Sequence, residues 1–539
     1  MKRETKFSFA SLIKGLNALL WFFLSFSAIT LLTSSLTGTW FIQPTFSVLV
    51  GLIGAYCVFR WFPIALEIPP IAWGFFLLLL GLLVVPVLLT HGVAASADAV
   101  TTTAMRIMQT RIPPTYAPYS NISFSYQIGF PLLANALWAH LRFIPDYQFA
   151  WMLGAIFGAL FVPLLYLFSR TFHLSENIAL VSIVLLFGSK LVFENFYWGE
   201  FAWLSATVFA MAALIAWKKN NPVVFLFVPA VVTLHPAIAF NLLIWTAVFL
   251  ALRQLDKKMI LGSVLSVLAA IPALYYNYTP IVSNLLSGHG EGPFRIASGI
   301  QNLGILPFWI GTGLTLCFVI SLLLWYLNRS KSAPVPRWPM VLLGVSLLGF
   351  FFLSTMGTIL ANREIELVLF GVLFWTATNF ASTEVFERFK WPFLAALLLV
   401  GLLSFAFSSS LASQRNGSKI SSDEIELANT FKSIDSTRAF TIFLSRGGGK
   451  MVEIADKIPF DANSSLLVST AAVLVIRNKG FDEFKQRHEV QEAIIANRCV
   501  QCVLELPVDY AVVDTAYAGF DLPLAPIASS GSVHLYRLH

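Results

Sequence analysis

Long apolar runs separated by short polar breaks fill the first three quarters of this sequence. Runs such as 17–34, 70–90 and 304–327 approach or exceed the roughly 20 apolar residues that a helix needs to cross the hydrocarbon core of a bilayer. Counting the runs and their breaks predicts about thirteen transmembrane helices, near 16–35, 44–61, 69–90, 149–168, 177–192, 200–217, 222–234, 236–252, 259–275, 305–328, 338–357, 365–382 and 391–408.

The pattern changes after residue 409. A polar linker over 408–424 is followed by short β-rich runs, including TIFL, YAVVD and VHLYRL, and by a charged helical stretch, FDEFKQRHEVQEAIIAN. About 120 residues are enough to form their own core. The sequence therefore predicts a transmembrane domain over 1–409 and a soluble α/β domain over 410–539.

The longest break within the apolar part is the segment 91–148. Ala94 to Gln109 suits a short amphipathic helix that turns Met105 toward lipid, and the prolines in RIPPTYAPYS end that helix. FSYQIGFPLLANALWAHLRFI then resumes as a second helix. We expect this segment to lie along the membrane surface.

The basic residues set the orientation. With the N-terminus in the cytoplasm, sixteen Lys and Arg fall in cytoplasmic segments, and six fall in short outer loops: Arg106, Arg111, Arg142, Lys190, Arg295 and Arg363. An odd number of spans then places the 410–539 domain outside. The prediction is a multi-pass protein of the cell membrane with a cytoplasmic N-terminus and an extracytoplasmic C-terminal domain.

Composition supports this class. The chain is 57% hydrophobic and 12% charged, whereas soluble proteins carry about a quarter charged residues. The net charge of +7 does not indicate nucleic-acid binding, because the basic residues lie mostly in loops between spans. Cys499 and Cys502 form a lone C-x-x-C in the outer domain, for which a local disulfide is favoured over a redox site or a zinc site that lacks two further ligands.

Asp98 is the only carboxylate between Glu67 and Asp146. Three roles fit an acid at the membrane surface: pairing with Arg106 or Arg111 or capping a helix, ligating a metal, or acting as a general base toward an attacking hydroxyl. The metal role is weakened because the loop supplies no second carboxylate. His91 is a reserve base.

The order of motifs resembles the GT-C class of integral membrane glycosyltransferases. The matching pieces are Asp98 in the first large outer loop, the passage from Arg106 to Pro114, and the step YQIGFPLL into an interfacial helix. Further likenesses cover most of the chain: LGAIFGALFVPLLYLFSRTF, NFYWGEFAWLSATVFAMAAL, VTLHPAIAFNLL, ANREIELVLFGVLFW and the closing strands of the tail.

This resemblance implies inverting transfer of a sugar from a polyprenyl-phosphate carrier to a hydroxyl of a glycan, lipid or protein acceptor at the outer face. Asp98 would be the general base, and Arg363 would meet the carrier's phosphate. The paired acids of many members are absent, which weakens the case for a metal-dependent mechanism, so no cofactor is assigned and a divalent metal stays open. The W-W-D-like signature of oligosaccharide-transferring members is absent too, which favours a single-sugar transferase.

Other polar and aromatic residues at predicted outer span ends are candidates for substrate binding, and each has a structural alternative. Arg363 has the alternative of an ion pair with a neighbouring glutamate, and a histidine beside proline can be purely structural. Tyrosine, tryptophan and glutamate are common at membrane interfaces. The candidates are Arg363, His235, Glu200, Trp198, Arg106, Tyr119 and Tyr126.

Two other classes compete with the transferase. A transporter or flippase for a lipid-linked saccharide would show ionisable residues within its spans and often repeat-related halves. Here the acids and bases cluster at span ends and no halves match, which favours the enzyme. A membrane-anchored scaffold acting through its outer domain stays open, because that domain has no recognisable catalytic set.

Overall fold

The computed structural model shows a mostly helical protein with a small C-terminal sheet. It describes residues 9–36, 44–64, 67–89, 105, 115–116, 122–123, 129–197, 199–255, 257–271, 274, 310–328, 337–355, 360–415, 423, 426–427, 430, 441–445 and 480–538.

The helices and strands follow one another along the chain in four groups. The first group is α1 (Phe9–Leu36), α2 (Pro44–Trp61), α3 (Pro70–Leu89), β1 (Thr115–Tyr116), β2 (Ile122–Ser123) and α4 (Gly129–Trp138). The second is α5 (Asp146–Thr171), α6 (Glu176–Leu186), α7 (Lys190–Tyr197), α8 (Phe201–Lys218), α9 (Val224–Leu234), α10 (Pro236–Ala251) and α11 (Lys257–Ser266), which continues as a 3-10 turn (Val267–Ala270). The third is α12 (Thr312–Asn328), α13 (Arg337–Thr355), α14 (Leu360–Ala381), α15 (Glu384–Arg388) and α16 (Lys390–Arg415). The last is β3 (Thr441–Leu444), α17 (Gly480–Asn497), α18 (Val500–Leu504), β4 (Tyr510–Asp514), α19 (Thr515–Ala518), β5 (Ala528–Ser530) and β6 (Val533–Arg537).

Four of the described helices are long and apolar enough to cross a membrane: Ser11–Ser35, Pro44–Trp61, Gln148–Thr171 and Phe201–Lys218. Nine shorter apolar helices accompany them. The most apolar windows of α5 and α8 are 89% and 94% buried, whereas that of α2 is 17% buried. Helices α5 and α8 therefore form the centre of the bundle, and α2 lies at its edge.

Three contacts bring the starts of α4, α5 and α8 to one end of the bundle. The ring of Phe201 lies 5.4 Å from that of Phe130 and 5.1 Å from that of Trp151. Gly154 faces the same Phe201 ring. After α8 ends at Lys218, a short connection leads into α9, which packs against α8 and runs back in the opposite direction. The end of α9 and the beginning of α10 therefore lie at this same end of the bundle. We call it the upper end.

The predicted span over 177–192 is wrong in its bounds. Helix α6 ends at Leu186, residues 187–189 form a turn, and α7 begins at Lys190. A glycine and a serine in this turn are weak helix formers, and neighbouring backbone supplies part of the missing hydrogen bonding. Met105 also departs from expectation, because its side chain is fully buried in the core of the bundle instead of facing lipid.

The C-terminal sheet has the strand order β3-β4-β6-β5. Strands β3 and β4 are parallel and are joined through α17, while β6 pairs antiparallel with both β4 and β5. Alternate residues of these strands, such as Ile442, Leu444, Ala511 and Val513, point into a separate core with Val503. The predicted strands TIFL, YAVVD and VHLYRL and the charged helix after residue 480 are confirmed.

Candidate functional site

Gly129 joins two motifs that lie about a hundred residues apart in the sequence. A Cβ atom placed on Gly129 would lie 2.4 Å from the carbonyl oxygen of Thr233 and 2.7 Å from the Cα of Leu234. Only glycine permits such a close approach to backbone. The start of α4, in the YQIGFPLL motif, therefore rests directly on the TLHPA motif where α9 ends.

His235 lies between α9 and α10, 1% exposed, with an extended backbone (φ −154°, ψ 116°). Its Nδ1 accepts a long hydrogen bond of 3.4 Å from the backbone N–H of Ile238 and so caps α10. A ring nitrogen that accepts a hydrogen bond carries no proton, so the ring proton is assigned to Nε2. The imidazole is thereby set up as a hydrogen-bond donor through Nε2, and not as a base through Nδ1.

Glu200 occupies the position immediately before α8 and is partly exposed. Gly199 precedes it with φ +70°, and the N–H of Glu200 donates to the carbonyl of Asn195 at 2.8 Å. The next residue, Phe201, is completely buried. This buried ring fixes the chain beside Glu200, and the positive end of α8 favours a carboxylate there.

A cavity opens just below these residues, between α8, α10 and α14. Its volume is only about 10 Å³, and it is lined by Trp203, Thr207, Ala210, Ile238, Asn241, Leu242, Trp245, Leu367 and Phe370. Trp203 and Ile238 lie in the first turns of α8 and α10, whereas Leu367 lies about two turns into α14, so the upper parts of the three helices surround the cavity. The indole N–H of Trp245 is buried and finds no acceptor among the residues that the structure describes.

Arg363 belongs to the first turn of α14, four residues before Leu367. Its backbone is therefore at the upper end, one helical turn above the cavity, and its side chain is outside the described part of the chain. The structure thus brings together the helix starts that carry Glu200, His235 and Arg363. The remaining candidates lie outside the described residues: Asp98, His91, Arg106, Tyr119, Tyr126 and Trp198.

Lys190 is a residue that the sequence reasoning misplaced. We expected it in a short outer loop, but its side chain is only 6% exposed and belongs to the interior of the bundle, at the first position of α7. A signal was present in the sequence, since the apolar run before it is short and ends in Gly188 and Ser189. Its burial depends on α12 and α16, which pack against the same turn.

The C-terminal sheet carries a second polar cluster, made of Asp521, His534 and Tyr536. The Tyr536 hydroxyl donates to the Asp521 carboxylate, and His534 Nδ1 lies 3.1 Å from Asp521 Oδ2 and 3.0 Å from the Tyr536 hydroxyl oxygen. Burial alone would raise the pKa of Asp521, but the hydrogen bonds from Tyr536 and His534 outweigh it and lower that pKa. Burial, and then the hydrogen bond to Asp521, raise the pKa of Tyr536.

Within the described ranges, no group of three or more His, Cys, Asp and Glu side chains is placed to hold a metal ion. Cys499 and Cys502 form a disulfide with their Cα atoms 5.3 Å apart, which confirms the favoured interpretation of this C-x-x-C pair.

No model of a known protein family and no curated protein matches the sequence.

Proposed function

We propose that this protein is a membrane glycosyltransferase of the GT-C class. It moves a single sugar from a polyprenyl-phosphate carrier to an acceptor hydroxyl at the outer face of the cell membrane. Four long and nine shorter apolar helices support a polytopic arrangement of about thirteen spans. The C-terminal α/β domain then lies outside the cell, where the disulfide between Cys499 and Cys502 is stable.

The contact between Gly129 and the backbone of Leu234 carries the proposal. It fixes the last part of the 91–148 segment against the turn that holds His235, at the same end as Glu200 and the start of α14. A surface loop that ends there can hold Asp98 above the cavity. An acceptor and a lipid-linked donor would both approach this end of the bundle from the membrane surface, which supports the proposal.

The chemistry follows from the residue types. Asp98 takes the proton of the acceptor hydroxyl while that oxygen attacks the anomeric carbon, and the bond from this carbon to the carrier's phosphate oxygen breaks. The electron pair leaves with the phosphate, whose added charge Arg363 offsets with its fork of N–H donors. Attack from the face opposite the phosphate inverts the anomeric centre.

The other candidates bind and orient the sugar. His235 donates through Nε2 to a sugar or phosphate oxygen, and the Glu200 carboxylate accepts from sugar hydroxyls. Trp198 offers a flat face to the ring, while Tyr119, Tyr126 and Arg106 line the path of the acceptor, and His91 is the reserve base. Departure of a phosphate needs no cofactor, and a divalent ion would only add to the charge that Arg363 supplies.

Sugar transfer by purified protein tests the proposal. A panel of polyprenyl-phosphate sugars is incubated with wild type, Asp98→Asn and, as a matched acid control, Glu67→Gln, whose site lies between α2 and α3. We expect Asp98→Asn to lose about 10²- to 10⁴-fold in turnover and to keep donor binding. Glu67→Gln should resemble wild type. Equal turnover in wild type and Asp98→Asn contradicts the assignment of the base.

One observation favours a second candidate, a transporter of the lipid-linked saccharide. The interruption between α6 and α7 places the buried Lys190 inside the bundle, and interrupted helices with buried charges are common in transporters. An assay in liposomes that contain the protein and a fluorescent polyprenyl-phosphate sugar distinguishes a transporter from a transferase. A transporter moves the label between leaflets without consuming it, whereas the transferase consumes it only when an acceptor is present.

A further inference from the structure

The disulfide between Cys499 and Cys502 joins two residues that the backbone already holds together. Cys499 caps α18, and residues three apart in one helical turn are neighbours without any covalent link. The N–H of Cys499 donates to the carbonyl of Ile494 at 3.0 Å, and the N–H of Val503 donates to the carbonyl of Cys499 at 3.4 Å. Val503 is fully buried in the core of the C-terminal sheet. The turn is therefore fixed on both sides by contacts that do not involve sulfur.

A bridge of this kind contributes little to the stability of the fold. In the chain-entropy account, a disulfide stabilises a protein by restricting the unfolded chain, and the effect is smallest when few residues lie between the two cysteines. Only Val500 and Gln501 lie between Cys499 and Cys502. The S–S bond can therefore open and close while the sheet and α17 keep their places.

The two cysteines differ in their surroundings. Cys502 is exposed, so a thiolate of another molecule can reach it, whereas Cys499 is partly buried. The Sγ of Cys499 accepts a hydrogen bond of 3.2 Å from the N–H of Cys502. The same N–H stabilises negative charge on Cys499 once the disulfide opens. Because a disulfide breaks faster when the departing thiolate is the better stabilised one, attack on Cys502 with departure of Cys499 is the favoured direction.

We propose that Cys499 and Cys502 form a thiol–disulfide exchange site that oxidises pairs of thiols in other proteins. A thiolate of the substrate attacks Cys502 Sγ, a mixed disulfide forms, and the electron pair of the broken S–S bond leaves with Cys499. The second substrate thiol, after losing its proton to water, attacks the substrate sulfur of the mixed disulfide and displaces Cys502. The substrate thus loses two electrons and gains a disulfide, and the reduced pair is reoxidised by a small-molecule disulfide. This activity goes beyond the proposed sugar transfer and needs none of its residues.

Oxidation of a reduced peptide with two cysteines tests the activity, using the full-length protein in phosphatidylcholine nanodiscs and glutathione disulfide as the final oxidant. Wild type should oxidise the peptide at least about tenfold faster than empty nanodiscs. The double variant Cys499→Ser and Cys502→Ser is the control, and it should be no faster than empty nanodiscs. It retains Cys57 and Cys317, so these thiols contribute equally to both proteins. Equal rates for wild type and the double variant overturn the proposal.

Two measurements on wild type need no folded variant. In mixtures of reduced glutathione and glutathione disulfide, alkylation and peptide mass spectrometry should find the pair half reduced within the range of the mixtures. A pair that stays oxidised in the most reducing mixture overturns the proposal, because structural disulfides resist glutathione. Brief reaction with reduced glutathione, stopped by acid, should place glutathione on Cys502 at least about tenfold more often than on Cys499. A preference for Cys499 overturns the direction of attack.

Discussion

Gly129 touches the backbone of Leu234, and this contact joins the end of the first large loop to the turn that holds His235. Replacing Gly129 by Ala places a methyl group 2.4 Å from the Thr233 carbonyl oxygen, which belongs to a helix and cannot give way cheaply. We expect a loss of about 1–3 kcal/mol in the free energy of unfolding, together with lower sugar transfer.

Gly74→Ala is the control for this substitution, because a Cβ at Gly74 meets nothing within 4 Å. It should leave stability unchanged or raise it by up to about 1 kcal/mol, since Ala is the better helix former. Thermal unfolding of both variants in detergent measures the difference. Equal midpoints for the two variants would show that the Gly129 contact is not tight.

His235 combines a capping role with a donor role, and two substitutions separate them. Asn can accept the N–H of Ile238 but offers no donor at the position of Nε2, whereas Ala offers neither group. We expect His235→Ala to lose about 1 kcal/mol of stability and His235→Asn to lose less. Both should transfer sugar poorly. Full sugar transfer by the folded His235→Asn variant would show that His235 only caps α10 and is not needed as a hydrogen-bond donor.

Phe201 fixes the chain beside Glu200 through its contacts with Phe130, Trp151 and Gly154. Phe201→Ala leaves a cavity and should cost about 3–5 kcal/mol, while Phe201→Leu should cost less and allow the transfer rate to be measured. Phe143→Ala is the control, because that ring is 81% exposed. Normal kcat and KM in the Phe201→Leu variant would show that Glu200 takes no part in the reaction.

Asp521 predicts a pH dependence of the C-terminal sheet. Its pKa is lower in the folded protein than the ordinary value of 3.8, so the stabilisation is complete above that value and is lost as pH falls through the folded pKa. Asp521→Asn should therefore speed amide exchange of residues 510–537 about fivefold near pH 6, a modest effect because Asp521 is half exposed.

The comparison uses deuterium exchange by mass spectrometry on the full chain, with both proteins at each pH. The difference between wild type and Asp521→Asn should begin to shrink as the pH falls below 3.8 and should vanish once the pH lies below the lowered pKa of the folded protein. Tyr536→Phe, which removes one donor to Asp521, should show a smaller effect in the same direction. A difference that does not vary with pH rules out the carboxylate as its source.

The sequence was informative where one local property decides the structure. The apolar runs predicted the helices, because a helix is the simplest way to satisfy backbone polar groups in lipid. The alternation of apolar and polar residues predicted strands β4 and β6. The signal for the turn at 187–189 was weak because Gly188 and Ser189 are tolerated in apolar helices, and the close approach of Gly311 and Gly401 decides it. The meeting of Gly129 with Leu234 likewise depends on packing between distant segments. The role of Asp98 stays a prediction.

The interruption after Leu186 also constrains how the chain enters a bilayer. Helix α6 has 11 residues and is about 17 Å long, little more than half of a hydrocarbon core of about 30 Å. An insertion machinery that admits one segment at a time would find α6 too short to hold in place alone. Helix α5, with 26 residues, is long enough. We therefore expect α5 and α6 to enter the bilayer together as a hairpin, before α12 and α16 have been synthesised to seal the gap.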